Sequence, residues 1–170
     1  MVAPVLIELR EVRKRFGGHD GVPEVEILHG IDLRIRAGEY VAIVGASGSG
    51  KTTLVNLIAR FWDVDDGTVT IGGAPVRSMR ASTIMGMTSM VFQDVYLFDT
   101  TIRENLRIAR PEATDAELAE AARRACLDRV IEALLHGWDT QVGPGGLSLS
   151  GGKRQRVAIT RAFVKDAPIL

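Results

Sequence analysis

One run of residues carries most of the chemistry this sequence offers: Gly45-Ala46-Ser47-Gly48-Ser49-Gly50-Lys51-Thr52. It fits G-x-x-x-x-G-K-[ST], the spacing of a loop that cradles phosphate. Gly45, Gly48 and Gly50 lack a Cβ, so the backbone there bends tightly and comes close to an anion. The N–H groups of such a loop, and of a helix opening behind it, have no intrahelical partner and converge where the helix dipole favours negative charge. Ser47 and Ser49 lie within the cradle. Lys51 adds a full positive charge with reach to the outer phosphates, Thr52 offers a hydroxyl to phosphate-bound magnesium, and Thr53 is placed for a further phosphate contact. The plain alternative is a glycine-rich turn with a surface lysine. The flanks argue against it: Tyr40-Val41-Ala42-Ile43-Val44 reads as a buried strand, and residues 53–58 read as a buried helix. Strand, glycine loop and helix in that order imply a nucleoside triphosphate and leave open what its energy is used for.

The rest of the chain must position that loop. Its 170 residues suffice for one domain with a real core. Lys plus Arg and Asp plus Glu are 21 each, without single-sign blocks, so no nucleic-acid footprint is expected. Cys126 is the only cysteine, which leaves no disulfide framework and no cysteine metal site; among apolar helical neighbours it is expected to be a small core residue. No apolar run reaches bilayer length, and the opening Met1-Val2-Ala3-Pro4 lacks the basic-then-apolar pattern of a signal peptide, so a cytosolic location is expected for this segment.

Alternation around residues 6–12 predicts a half-exposed strand, and residues 25–28 and 31–35 read as further strands, with Ile31, Leu33 and Ile35 on one face. Asp65-Asp66-Gly67 is a turn into another short strand, residues 68–71, which gives an antiparallel, meander-like region around the loop. Met90-Val91-Phe92-Gln93 reads as a buried strand. From about Ile102 the pattern turns helical. Thr114-Asp115-Ala116-Glu117 fits a capping box ahead of Leu118, Ala121, Ala122 and Ala125, and Asp128 is placed to cap the next helix, with Gly137 as its stop. A glycine-rich loop, residues 140–147, precedes a last helix over residues 151–164. Ile169-Leu170 reads as the opening of another buried strand.

Leu149-Ser150-Gly151-Gly152-Lys153-Arg154-Gln155-Arg156 opens that last helix with a serine and two glycines, a second candidate anion site; alone, such a stretch is more often an ordinary N-cap. Placed downstream of a phosphate loop, it resembles the signature motif of ATP-binding cassette (ABC) proteins, and residues 156–162 resemble the helix that continues it. Phe16 then matches the family's adenine-stacking aromatic, and Gln93 its Q-loop glutamine, which contacts magnesium and the attacking water. Read singly, Phe16 is sooner a core aromatic and Gln93 an edge-strand polar residue; in this order and spacing the family reading is preferred. Residues 94–98 with residues 101–106 resemble the exporter branch, where this segment faces transmembrane coupling helices. The resemblance extends from about Leu6 to Leu170.

The resemblance implies an α/β phosphate-loop NTPase core of the ABC type with an antiparallel β subdomain and a helical subdomain, the C-terminal part being missing. The implied layout is residues 1–99 for the β subdomain and loop core, 100–148 for the helical subdomain, and 149–170 for the signature helix and the start of a core strand. It implies ATP and Mg2+ as ligands, with Thr52 and Gln93 at the metal. It also implies a second nucleotide-binding domain contributing Ser150, Gly151, Gly152 and Lys153 in trans, a transmembrane partner, and a place on the cytoplasmic side of a membrane. The family's catalytic glutamate, magnesium aspartate and switch histidine follow the point where this sequence stops, so no general base is assigned and the chain alone is expected to be inactive. Two departures stand out: Lys153 replaces the usual Gln or Glu, and Gln141, Pro144 and Gly146 replace charged exporter residues. The alternatives are a nucleotide-binding fragment without turnover and a soluble ABC ATPase unconnected to transport.

Overall fold

A computed structural model describes residues 3–18 and 21–170, in two compact units that divide after Met85. The first is built on a four-stranded antiparallel sheet in the order β2-β1-β3-β4: β1 (Val5–Phe16), β2 (Val25–Arg36), β3 (Asp66–Ile71) and β4 (Ala74–Pro75). Strand alternation sorts β1 as expected. Ile7 and Leu9 are buried, opposite Ile71 and Leu33, while Glu8 and Arg10 face outward, with Glu8 accepting from the Arg10 and Arg34 guanidinium groups. A bulge at Glu11 (φ 48°) shifts the register and keeps Val12 facing inward; the Glu11 N–H donates to Asp32 Oδ1 at 3.0 Å. Gly67 has to be glycine here. At φ 83° it passes so close to the bulge that a Cβ would lie 2.4 Å from the Arg10 carbonyl oxygen. Helix α1 (Lys51–Ile58) buries Leu54 and Leu57 in the same unit. The two strands read at residues 25–28 and 31–35 are one continuous strand, β2.

Helix α2 (Ala81–Met87) leads into the second unit, which is helical: α3 (Ile102–Arg107), α4 (Asp115–Arg124), α5 (Asp128–Glu132) and α6 (Gly151–Lys165). Leu97, Ile102, Leu106, Leu118, Leu127 and Val157 are at the centre of its core. One buried polar hub sits among them. Asn105 Oδ1 accepts from the Phe98 N–H at 3.0 Å and from the Arg161 guanidinium at 2.8 Å, and its Nδ2 donates to the Phe98 and Thr101 carbonyls. Arg161 also donates to the Asn105 and Tyr96 carbonyls, and burial pulls its pKa down. Fully satisfied in this way, the hub ties α6 to residues 96–105.

Five sequence expectations are corrected in whole or in part. Residues 40–44 form no strand, and Tyr40 and Val44 are 103% and 87% exposed; residues 90–93 form none either, with Phe92 exposed. Apolar runs supply a wish for burial, but a strand also needs a backbone partner, and among the described residues neither run has a paired neighbour. Ile169 makes a single parallel bridge with Thr88, while Leu170 is exposed. Cys126 is exposed, at φ 53° just past α4, because the chain turns there instead of continuing the helix inward. Asp128 does not cap α5: it occupies the first helical position, and Leu127 is the N-cap residue.

Candidate nucleotide site

In the first unit the loop closes on itself. Lys51 Nζ donates to the Gly45 carbonyl at 2.9 Å, to the Ala46 carbonyl at 2.7 Å and to Ser49 Oγ at 3.3 Å. Its ammonium is thus tied back to the loop's own backbone. Gly50, at φ 85°, is the N-cap of α1, and a Cβ there would meet Leu28 Cδ2 at 2.8 Å; at Gly45 a Cβ would meet Ser49 Oγ at 2.6 Å. The glycines are therefore fixed by backbone angle and by packing. No side chain caps α1, and its first turn holds no carboxylate. The N–H groups of Lys51, Thr52 and Thr53 precede the first intrahelical bond, from Leu54 to Gly50, and so face outward as donors. This donor set, with one ammonium and the Thr52 hydroxyl beside it, suits a phosphate chain with a bound hard cation. Ser47 and Gly48 are exposed beside it.

Phe16 lies in the same unit, at the end of β1 and 38% exposed. It is therefore not a core aromatic. Its ring meets Trp62 nearly perpendicularly, with centroids 5.2 Å apart, and Lys14 Nζ stands 5.3 Å from its centroid. Trp62 was not singled out from the sequence; a tryptophan just past the loop helix was the available signal. Asp65 holds this end of the sheet together by accepting from the Arg15 N–H at 2.6 Å and from Lys14 Nζ at 2.9 Å. Desolvation works against the Asp65 carboxylate, but these two donors outweigh it and its pKa sits below the ordinary value.

The second unit holds Gln93, which is exposed, and the Ser150–Lys153 stretch at the start of α6. Ser150 is the N-cap of α6 by backbone angle, yet its side chain makes no cap hydrogen bond, and the first turn carries no acid. Ser150, Gly151 and Gly152 are all exposed, and a Cβ on Gly152 would meet nothing within 4 Å. The ordinary N-cap reading is therefore not realised in the hydrogen bonding. Behind residues 92–98 lies a cavity of about 510 Å3 lined by Phe92, Asp94, Tyr96, Phe98 and Arg161. Tyr96 and Phe98 stack edge-on at its rim, with centroids 5.4 Å apart. Among the described residues, no helix is long and apolar enough to cross a membrane, and no cluster of His, Cys, Asp and Glu could hold a metal ion by itself.

Comparisons with known proteins identify the family. The ABC transporter family model matches residues 28–170. The beta-(1-->2)glucan export ATP-binding/permease protein NdvA of Agrobacterium fabrum is 46% identical over 143 residues, covering 84% of this chain and 24% of its own. The ATP-dependent lipid A-core flippase of Desulfotalea psychrophila is 46% identical over 145 residues, covering 85% of this chain and 25% of its own. Among solved structures, a bacterial Atm1-family ABC exporter with ATP bound superposes with a TM-score of 0.87 at 38% identity, over 99% of this chain and 29% of that one. The chain thus spans about a quarter of the length of the curated relatives it matches. It belongs to the ABC transporter family, as a nucleotide-binding domain of the exporter type.

Proposed function

We propose that this chain binds Mg-ATP and acts as the ATP-driven element of a membrane exporter. The observation that carries the reading is the pair of helix starts, α1 and α6, that fall at the glycine motifs and have neither a side-chain cap nor an acid in the first turn. Phe16 stacks on the base. Gly45, Ser47, Gly48, Ser49, Gly50, Lys51, Thr52 and Thr53 hold the phosphates through backbone N–H groups, one ammonium and hydroxyls. Thr52 and Gln93 hold magnesium, which screens phosphate charge when bound. Gln93 also orients the attacking water. Ser150, Gly151, Gly152 and Lys153 close on the γ-phosphate of a nucleotide held by a second nucleotide-binding domain, giving two sites in a head-to-tail dimer with two-fold symmetry. Positioning and charge stabilisation are what phosphoryl transfer asks of a protein, and these residues supply both; none of them is assigned as the general base.

The exposed Tyr96–Phe98 rim, with residues 101–106 behind it, is the face offered to a transmembrane partner, which places the chain on the cytoplasmic side of a membrane. The helical subdomain is residues 100–148, between the β subdomain and loop core, 1–99, and the signature helix with the following strand start, 149–170. Sizing chromatography with and without Mg-ATP tests the dimer. Gly151→Glu puts bulk and negative charge where the γ-phosphate would approach, so it should stay monomeric with ATP while still binding nucleotide. A Gly151→Glu protein that dimerises like wild type removes α6 from the site.

A further inference from the structure

A ring that stacks on a base must be exposed and yet hold its plane. Phe16 is at the end of a strand and 38% exposed, so the core does little to fix it. Its support comes instead from residues 62–65, the stretch that leaves the phosphate-loop helix. After α1 the chain turns sharply: Arg60 is at φ 54°, and the Phe61 N–H donates to the Asn56 carbonyl at 2.8 Å. Arg60 pins the turn by donating to the Met79 carbonyl and pairing with Asp63 at 3.3 Å. Trp62 then meets the Phe16 ring at an interplanar angle of 77°. Val64 is buried behind it, and Asp65 holds Lys14, whose ammonium is the other group near the ring. Trp62 is itself 41% exposed, so the pair adds little to the core.

We propose that Trp62 is a positioning residue for the base subsite: by meeting Phe16 edge-to-face from the end of the loop helix, it fixes the plane of that ring relative to the phosphate loop. This rests on the reading of Phe16 and Lys51 given under Proposed function. The chain from Lys51 through α1 to Trp62 is short and braced along its length. The spacing between phosphate and base subsites is therefore set by this segment together with the Trp62–Phe16 ring contact. Without the indole, Phe16 has to be ordered by the nucleotide at the moment of binding, which costs affinity for the base and nothing for the phosphates.

The test is calorimetric titration of the protein with Mg-ATP and, separately, with inorganic tripolyphosphate, which engages the loop without a base. Trp62→Leu keeps apolar bulk and removes the ring; it should weaken ATP by about 2- to 12-fold, the range of an edge-to-face pair, and leave tripolyphosphate unchanged. Phe16→Ala should weaken ATP by more, about 5- to 150-fold, again without touching tripolyphosphate. The double variant should be no weaker than Phe16→Ala alone, and Trp62→Phe should recover most of the loss. Tripolyphosphate binding also reports that the loop is folded in each variant. Equal losses for ATP and tripolyphosphate in Trp62→Leu, or a Trp62→Leu loss that adds in full to that of Phe16→Ala, would overturn the proposal. The underlying reading fails differently: Phe16→Ala would leave the ratio of ATP to tripolyphosphate affinity unchanged, or Lys51→Ala would bind tripolyphosphate like wild type.

Discussion

Helices α3 and α4 begin closed, whereas α1 and α6 begin open. At α3 the Thr101 hydroxyl accepts the Glu104 N–H while the Glu104 carboxylate accepts the Thr101 N–H; Thr114 and Glu117 do the same at α4. At α1 the N-cap is a glycine with no side chain to offer. At α6 the N-cap is a serine whose hydroxyl is not used on the helix. The closed starts carry acids in the first turn, and so does α5, whose N-cap Leu127 makes no cap bond, whereas α1 and α6 carry none. A helix start left without a cap forgoes about 1 kcal/mol. At α1 and α6 the uncapped, acid-free start coincides with a glycine motif, which is the arrangement expected if those N–H groups serve a ligand and the closed starts serve the fold.

The largest effect is expected on the closed side. Asn105 lies within α3 and serves four hydrogen bonds with no exposed surface. Asn105→Ala should lower stability by about 3 kcal/mol, since it leaves the Phe98 N–H and one Arg161 N–H without their acceptor. A denaturant midpoint within experimental error of wild type would show that the hub is ornamental. Next come the caps. Thr114→Ala should cost about 1 kcal/mol, and Ser150→Ala should stay within about 0.5 kcal/mol, although both are N-caps by backbone angle. Equal losses in thermal unfolding would erase the distinction between closed and open starts.

Acid gives a smaller and graded test. The Glu104 carboxyl is held below the ordinary 4.5 by the Thr100 hydroxyl first and then by the Thr101 N–H and hydroxyl; that of Glu117 is lowered by the Thr114 N–H and hydroxyl. Depressed in the folded state, these groups contribute stability that is present above the unfolded value and lost as pH falls through the folded one. The melting temperature should therefore decline as pH drops below about 4.5, and less steeply in a Thr101→Ala, Thr114→Ala double variant. Parallel pH curves for the two proteins would show that the caps do not titrate with folding.

How legible this was depended on whether the signal was local. The Thr114–Glu117 box was readable because all its parts lie within one turn, and Thr101-x-x-Glu104 carried the same signal unread. The alternation in β1 marked which side chains face inward, since a strand's period needs no knowledge of its partner. Residues 40–44 and 90–93 failed on the converse ground: an apolar run does not say whether another strand lies beside it. The phosphate loop was legible as a motif, and what the sequence withheld was its support. Trp62 against Phe16, Asp65 across Lys14 and Arg15, and Arg161 into Asn105 all join residues distant along the chain, and no local spacing announces such pairs.

The central claim is that the open start of α1 is a phosphate site with Lys51 as its charge. The most direct measurement is calorimetric titration of Mg-ATP into wild type and Lys51→Ala, with Thr114→Ala as a control that changes a closed start. Wild type and Thr114→Ala should bind alike. Lys51→Ala should lose about 100-fold or more, since its ammonium would make two or more charge-assisted contacts. ATP binding by Lys51→Ala at wild-type affinity would show that the start of α1 is not a phosphate site.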